Sequence, residues 1–275
     1  MQNPVHHSFP RRGGLVRRLC LALFLLELVS RSATAQWLHY PSPGIPRTPD
    51  GKPNLSAPVP KGPDGKPDLY GLWELDRTLS GPFDAAPDAA PGIAIKPEDI
   101  VLTSEGEALQ RQRNKNYFPG AQCLPEPLPR RYGAHPFKIL ALGGLVVILY
   151  ESQTTYRQIF MDGREPPKDP NPAWAGYSVG KWDGDTLVVD TSGFNDDEWI
   201  LPGRRPHSDA LHIIERFRRP DFGHLEIQFT IDDPKVYAKP WTIKQNHHLL
   251  LDTDLLEYIC NENEKDLKHL VGPNR

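Results

Sequence analysis

From Phe137 onward, short runs of alternating apolar and polar residues follow one another with turn-sized gaps, and this pattern leaves few folds open. KILAL and LVVILYES flank Gly143-Gly144, ALHIIERFRR and HLEIQFTIDD flank a PDFG turn, and KWDGDTLVVDTSGF turns at an Asp-Gly. TYRQIFMDG, PWTIKQNHHLLLD and LLEYIC add further runs, and GLWEL at 71–75 precedes them all. A period of two is that of a half-buried strand, and a diglycine can take the two positive φ angles of a tight hairpin turn. Roughly eight to ten strands joined this way suit an antiparallel barrel or a sandwich. Closure disposes of the edges that so many hairpins create, so the expected fold is an all-β antiparallel barrel. Helical signals are confined to one place, where Ser104 and Glu107 form a capping box ahead of ALQRQRN, and so few apolar residues predict a short surface helix. The stretch PGAQCLPEPLPRRYGAHP is expected to be extended, proline-punctuated chain.

Ahead of the strands the chain changes character. PDGKPNL from Pro49 and PDGKPDL from Pro63 are near copies, in which Pro fixes φ, Asp-Gly turns and Lys-Pro restores extension. With nine prolines between Pro41 and Pro67 and almost no large apolar residue, 36–67 is expected to be a proline-rich linker arm. Before it, RRGGLVRRLCLALFLLELVSRSATAQW has a basic start, an apolar run from Leu19 to Val29 and Ala33-Thr34-Ala35 at a cleavage position. These are the parts of a secretory signal peptide over 1–35, cut near Gln36, and the run is too short for a membrane span. The organisation expected is therefore signal peptide 1–35, arm 36–67 and one barrel domain 68–275, in a protein exported to the periplasm or beyond, with no stable membrane anchor after cleavage.

Without the leader, 27 basic residues face 34 acidic ones, a balance that argues against a nucleic-acid partner. Of three cysteines only Cys123 and Cys260 remain, and an even pair in an oxidising compartment points to a disulfide.

Gly71-Leu72-Trp73, placed where the arm meets the first strand, resembles the G-x-W of lipocalins and related calycins, and the resemblance implies a Trp73 that plugs the closed end of a barrel. Over roughly 47–266, DGKPDLYGLW, YRQIFMDGR, GYSVGKWDGDTLVVDTSGFND, PHSDALHIIERF and TIDDP with PWT resemble a family of secreted bacterial proteins abundant in acidobacteria. That resemblance implies compartment and domain extent, and no reaction.

Chemistry has to be sought in the residues. GYSVG at 176–180 spells the G-x-S-x-G of a nucleophile elbow, yet a turn and a strand follow Ser178 where an elbow needs a helix. His224 and Glu226 share a face with Gln228 and Thr230 opposite an apolar face, and neighbouring His247 and His248 point to opposite sides, so no metal or other cofactor is expected. Glu215 stands out because it shares its face with Leu211, Ile213 and Phe217, where a carboxylate needs a partner. Either it is a strand-end glutamate already near solvent, or it pairs with an arginine such as Arg157, or it is a cavity acid or base. His207 closes the polar loop FNDDEWILPGRRP, which holds Trp199, Arg204 and Arg205, and Asp162, Arg164, Asp190 and Asn195 complete a polar set near strand ends.

Two functions follow. One is an exported protein binding a small apolar or amphipathic molecule in a calycin-like cavity, with Arg157, Asp190, Asn195 and Trp199 as ligand-binding residues. The other is an enzyme on the same scaffold, of isomerase, dehydratase or hydrolase type, with His207 and Glu215 as general acid and base.

Overall fold

A computed structural model describes residues 42–77, 100–113, 123–195, 199–201 and 205–262. The expected signal peptide, Arg204 and the proline- and alanine-rich stretch after Arg77 lie outside them.

Nine strands close a barrel in the order β1-β11-β10-β9-β6-β5-β4-β3-β2. They are β1 (Gly71–Leu75), β2 (Phe137–Ala141), β3 (Leu145–Tyr150), β4 (Thr155–Phe160), β5 (Tyr177–Asp183), β6 (Thr186–Ser192), β9 (His212–Arg218), β10 (His224–Asp232) and β11 (Trp241–Leu249). Two short strands, β7 (Trp199–Leu201) and β8 (Arg205–Pro206), pair with each other beside it. The turns form where the sequence places them: Gly143 and Gly144 take φ of 49° and 78°, and Gly184 takes 59°. LLEYIC joins no sheet.

One junction departs from the antiparallel expectation. β4 and β5 run parallel and share only the pairs Ile159↔Ser178 and Phe160↔Val179. Strand directions cannot alternate around a ring of nine, so one pair of neighbours has to be parallel, and the long connection from Met161 to Gly176 carries the chain back along the wall.

Period-two burial sends one face of every strand inward. Trp73, Phe137, Ile139, Ile148, Ile159, Leu187, Val189, Ile213, Phe217, Ile227 and Phe229 form one continuous core. Trp73 is fully buried, donates its indole N–H to the Leu69 carbonyl and lies 4.9 Å beneath the Arg219 guanidinium. Arg219 in turn donates to the carbonyls of Asp68, Tyr70 and Phe222, tying the start of β1 to the β9–β10 turn.

The surface helix is α1 (Ser104–Arg113), and its cap lies one residue earlier than the sequence suggests. The Thr103 hydroxyl accepts from Gly106 N–H at 3.0 Å, and Thr103 rather than Ser104 is the residue anchored to the Lys235 carbonyl. Gly106 suits that place, because a Cβ there would lie 2.2 Å from the Val236 carbonyl oxygen.

The larger departure is in PGAQCLPEPLPRRYGAHP, which contains a single helical turn, α2 (Arg131–Ala134), that enters the barrel. Tyr132 is wholly buried there, with ring centroids 4.9 Å from Phe137, 5.4 Å from Tyr150 and 5.6 Å from Phe229. A plug of chain thus fills the space that the sequence reading left for a ligand.

The arm also differs from a free linker. Each PDGKP copy closes a small hairpin on itself: Thr48 N–H bonds Lys52 O in the first, and Gly62 N–H bonds Lys66 O in the second. Bridges at Arg47↔Pro53 and Lys61↔Pro67 repeat the match. Between them the chain lies on the barrel, where the Leu55 and Ala57 carbonyls accept from Gly223 and Phe222 N–H. Main-chain hydrogen bonds anchor a segment too poor in apolar side chains to anchor itself.

Candidate functional site

Glu215 and Arg157 meet inside the barrel. Both Glu215 oxygens receive Arg157, Oε1 from Nη1 at 2.9 Å and Oε2 from Nη2. Arg157 spends its remaining N–H groups on Ser178 Oγ at 3.0 Å, Thr191 Oγ1 at 2.7 Å and the Tyr132 phenol at 2.9 Å. All five guanidinium donors are therefore used, as a buried charge demands. The strands explain the convergence: β4, β5, β6 and β9 each turn one residue of their inward faces to the same spot. Burial, reinforced by the Glu215 carboxylate, holds the Tyr132 phenol well above its ordinary pKa, so it stays protonated. This is the arginine-paired reading of Glu215, a filled electrostatic knot that fixes the plug.

Strand β11 holds the plug from the other side. Gln245 Nε2 donates to the Pro129 carbonyl, and His247 Nε2 lies 3.2 Å from the Tyr132 carbonyl. Burial drives the His247 pKa down to about 4, against a weaker upward pull from the backbones of Tyr132 and Leu225. The ring is neutral at pH 7, so its Nε2 serves as the donor. His248 faces outward beside Glu74 at 3.6 Å. A disulfide joins Cys123, ahead of the plug, to Cys260 with Cα atoms 5.4 Å apart.

The other sequence candidates are dispersed. His207 is buried with Nδ1 3.1 Å from the Ser208 carbonyl and its ring edge-on to Phe194, while Asp233 receives both Ser208 N–H and Oγ–H. His207 and Glu215 therefore serve different neighbourhoods. Asp190 points outward to His212 Nε2 at 2.6 Å, Asn195 bonds the Ala173 carbonyl through its backbone, and Trp199 opens β7. Asp162 pairs with Arg164 on the surface, where the guanidinium lies 4.0 Å from the Phe160 ring. Ser178, the would-be elbow serine, is a strand residue serving Arg157. His224 and Glu226 belong to the outer face, bound to Asp221 and to Arg218 and Lys244.

A pocket opens instead at the opposite mouth of the barrel. β2 runs from Phe137, against the plug, to Ala141, which lines the pocket, and β3 returns from Leu145 in the pocket to Tyr150 against the plug. The pocket measures about 750 Å³ and is walled by Leu69, Ile139, Val146, Met161 and Trp182. Gly180 makes room for Met161, since a Cβ there would lie 2.5 Å from the Met161 sulfur. Tyr70 and Leu142 stand at the rim, both about half exposed at 52% and 57%. On the far side of the same mouth, Arg219 and Phe222 cover Trp73. On the pocket side the cover is the second PDGKP turn, whose Gly62, Pro63, Asp64 and Pro67 complete the wall. Nothing in the sequence announced this pocket, because its walls come from four separate stretches of chain.

No protein-family model matches the chain, and no curated protein or solved structure matches it.

Proposed function

We propose that this protein is an exported binding protein for a small apolar or amphipathic molecule, held at the barrel mouth between the β2–β3 hairpin and the second PDGKP turn. The observation that carries this reading is the apolar pocket of about 750 Å³, a volume suited to a small ligand. Burying apolar ligand surface against Leu69, Val146, Met161 and Trp182 supplies the affinity, at roughly 25 cal/mol per Å². A polar end would face solvent past Tyr70 and Asp64. Inside the barrel, Arg157 and Glu215 are spent on each other and on Tyr132. The leader-like segment and the Cys123–Cys260 disulfide support export. Among the described residues no helix is long and apolar enough to cross a membrane.

The test uses N-phenyl-1-naphthylamine, a neutral dye that brightens in apolar surroundings. Wild-type protein should bind it saturably, and Ala141→Trp, which fills the mouth from an exposed position, should abolish binding while leaving the melting temperature near wild type. Equal binding by both proteins sinks the proposal. Native mass spectrometry of protein purified from its own source then identifies any retained ligand.

A further inference from the structure

The two PDGKP copies fold alike but spend their basic residues differently. In the first, Arg47 Nη1 donates to Gly51 O at 2.8 Å and Lys52 pairs with Asp50 at 3.0 Å, so both cations serve their own turn. In the second, the equivalent Lys61 reaches Asp185 at 2.9 Å and Lys66 reaches the Gly184 carbonyl at 3.1 Å. Both targets lie on the β5–β6 turn, across the pocket from the β2–β3 hairpin.

We infer that the second PDGKP copy is a lid over the mouth pocket, latched to the β5–β6 turn by Lys61 and Lys66. The segment is built to move as a unit. It is pinned at one end by the Ala57 carbonyl on Phe222 N–H and at the other by Leu69 in the core and Asp68 O on Arg219. Between those anchors its internal bonds, Gly62 N–H to Lys66 O and Gly65 N–H to Gly62 O, keep the turn intact when it lifts. The latch is weak by design of its setting: the Lys61 and Asp185 side chains are 46% and 72% exposed, and exposed pairs hold little free energy and are screened by salt. A tight, buried latch would keep the pocket shut, whereas this one can be released by thermal motion and reclosed. The first copy, with its cations turned inward, is a spacer that delivers the chain to the barrel at Leu55 and Ala57.

This inference rests on the mouth pocket being the binding site, and its test separates the two. Stopped-flow release of N-phenyl-1-naphthylamine is compared among wild type, Lys61→Gln/Lys66→Gln and the first-copy control Arg47→Gln/Lys52→Gln. Acrylamide quenching of Trp182, isolated by difference against Trp182→Phe, is measured on the same proteins without dye. The latch variant should release dye about three- to tenfold faster and expose Trp182 to quencher, with the control unchanged. High salt should speed release from wild type and leave the latch variant unaltered. Unchanged release and quenching in the latch variant, or an equal effect from the control, overturns the lid and leaves the binding reading standing. Absence of dye binding in wild type overturns the binding reading, and the Trp182 quenching difference then decides alone whether the turn opens.

Discussion

Acid should loosen the plug through His247, and the size of the effect can be worked out. The unfolded chain protonates this imidazole near its ordinary value of 6.5, while the folded protein resists until about 4. The unfolded state therefore binds the extra proton between those values, so this contribution to stability is complete above pH 6.5 and drains away as pH falls toward 4. At pH 4.5 the loss is about 2–3 kcal/mol, most of what the whole shift contributes. The Asp162 carboxylate, which Arg164 holds below its ordinary value, also titrates in acid, so wild type is compared with His247→Gln, which cannot take up the proton and can still donate to the Tyr132 carbonyl. Urea unfolding at pH 7 and pH 4.5 gives the double difference. Wild type should lose about 2–3 kcal/mol more than the variant over that interval. Identical pH dependence in the two proteins would refute the neutral, buried imidazole as an acid-sensitive clasp.

Glu215→Gln should lower stability by about 3–5 kcal/mol, because it leaves the Arg157 charge buried without its carboxylate, while Arg157→Met/Glu215→Leu should recover part of that loss. Urea unfolding reads both, and a Glu215→Gln protein as stable as wild type contradicts the knot. Cys123→Ser/Cys260→Ser opens a loop of 137 residues and should cost up to about 5 kcal/mol, while two titratable thiols in unreduced, denatured wild type would exclude the bond. Trp73→Ala should cost about 3–5 kcal/mol in thermal or chemical unfolding, since it empties a fully buried site under Arg219; a loss below 1 kcal/mol would mean that the barrel end collapses to fill it.

What the sequence reveals of this molecule divides by range. The hairpin at Gly143-Gly144, the Asp-Gly turn at 183–184 and the inward faces of β9 and β10 are legible because period, turn chemistry and burial are all local. Glu215 is legible for a related reason: a carboxylate on an apolar strand face is conspicuous, and Arg157 is a candidate partner even though β5 and β6 lie between the two strands. The plug is not legible. α2 is a single turn, shorter than any helical period that could reveal it, and its tyrosine follows a run of prolines that reads as loop. The docking of the arm escapes too, since it depends on backbone carbonyls such as those of Leu55 and Ala57, which carry no side-chain signature. The two identical turns could be read as turns, but only the barrel beneath them distinguishes a spacer from a cover.

The closing seam sets a timetable. β1 pairs with β11 through Trp73↔Leu249, Glu74↔His248 and Leu75↔His247, so the ring is sealed by partners that lie far apart along the chain. A strand synthesised early must wait, unpaired on that side, until nearly all of the remaining chain has emerged. Loop closure over such a distance is slow compared with hairpin formation, and an open edge in the interval invites pairing with the wrong chain. The hairpins β2–β3, β5–β6 and β9–β10 can zip as they appear, whereas Trp73 can be enclosed only once β11 arrives. Birth order thus makes the G-x-W strand the last side of the barrel to be finished, although it is the first to be made.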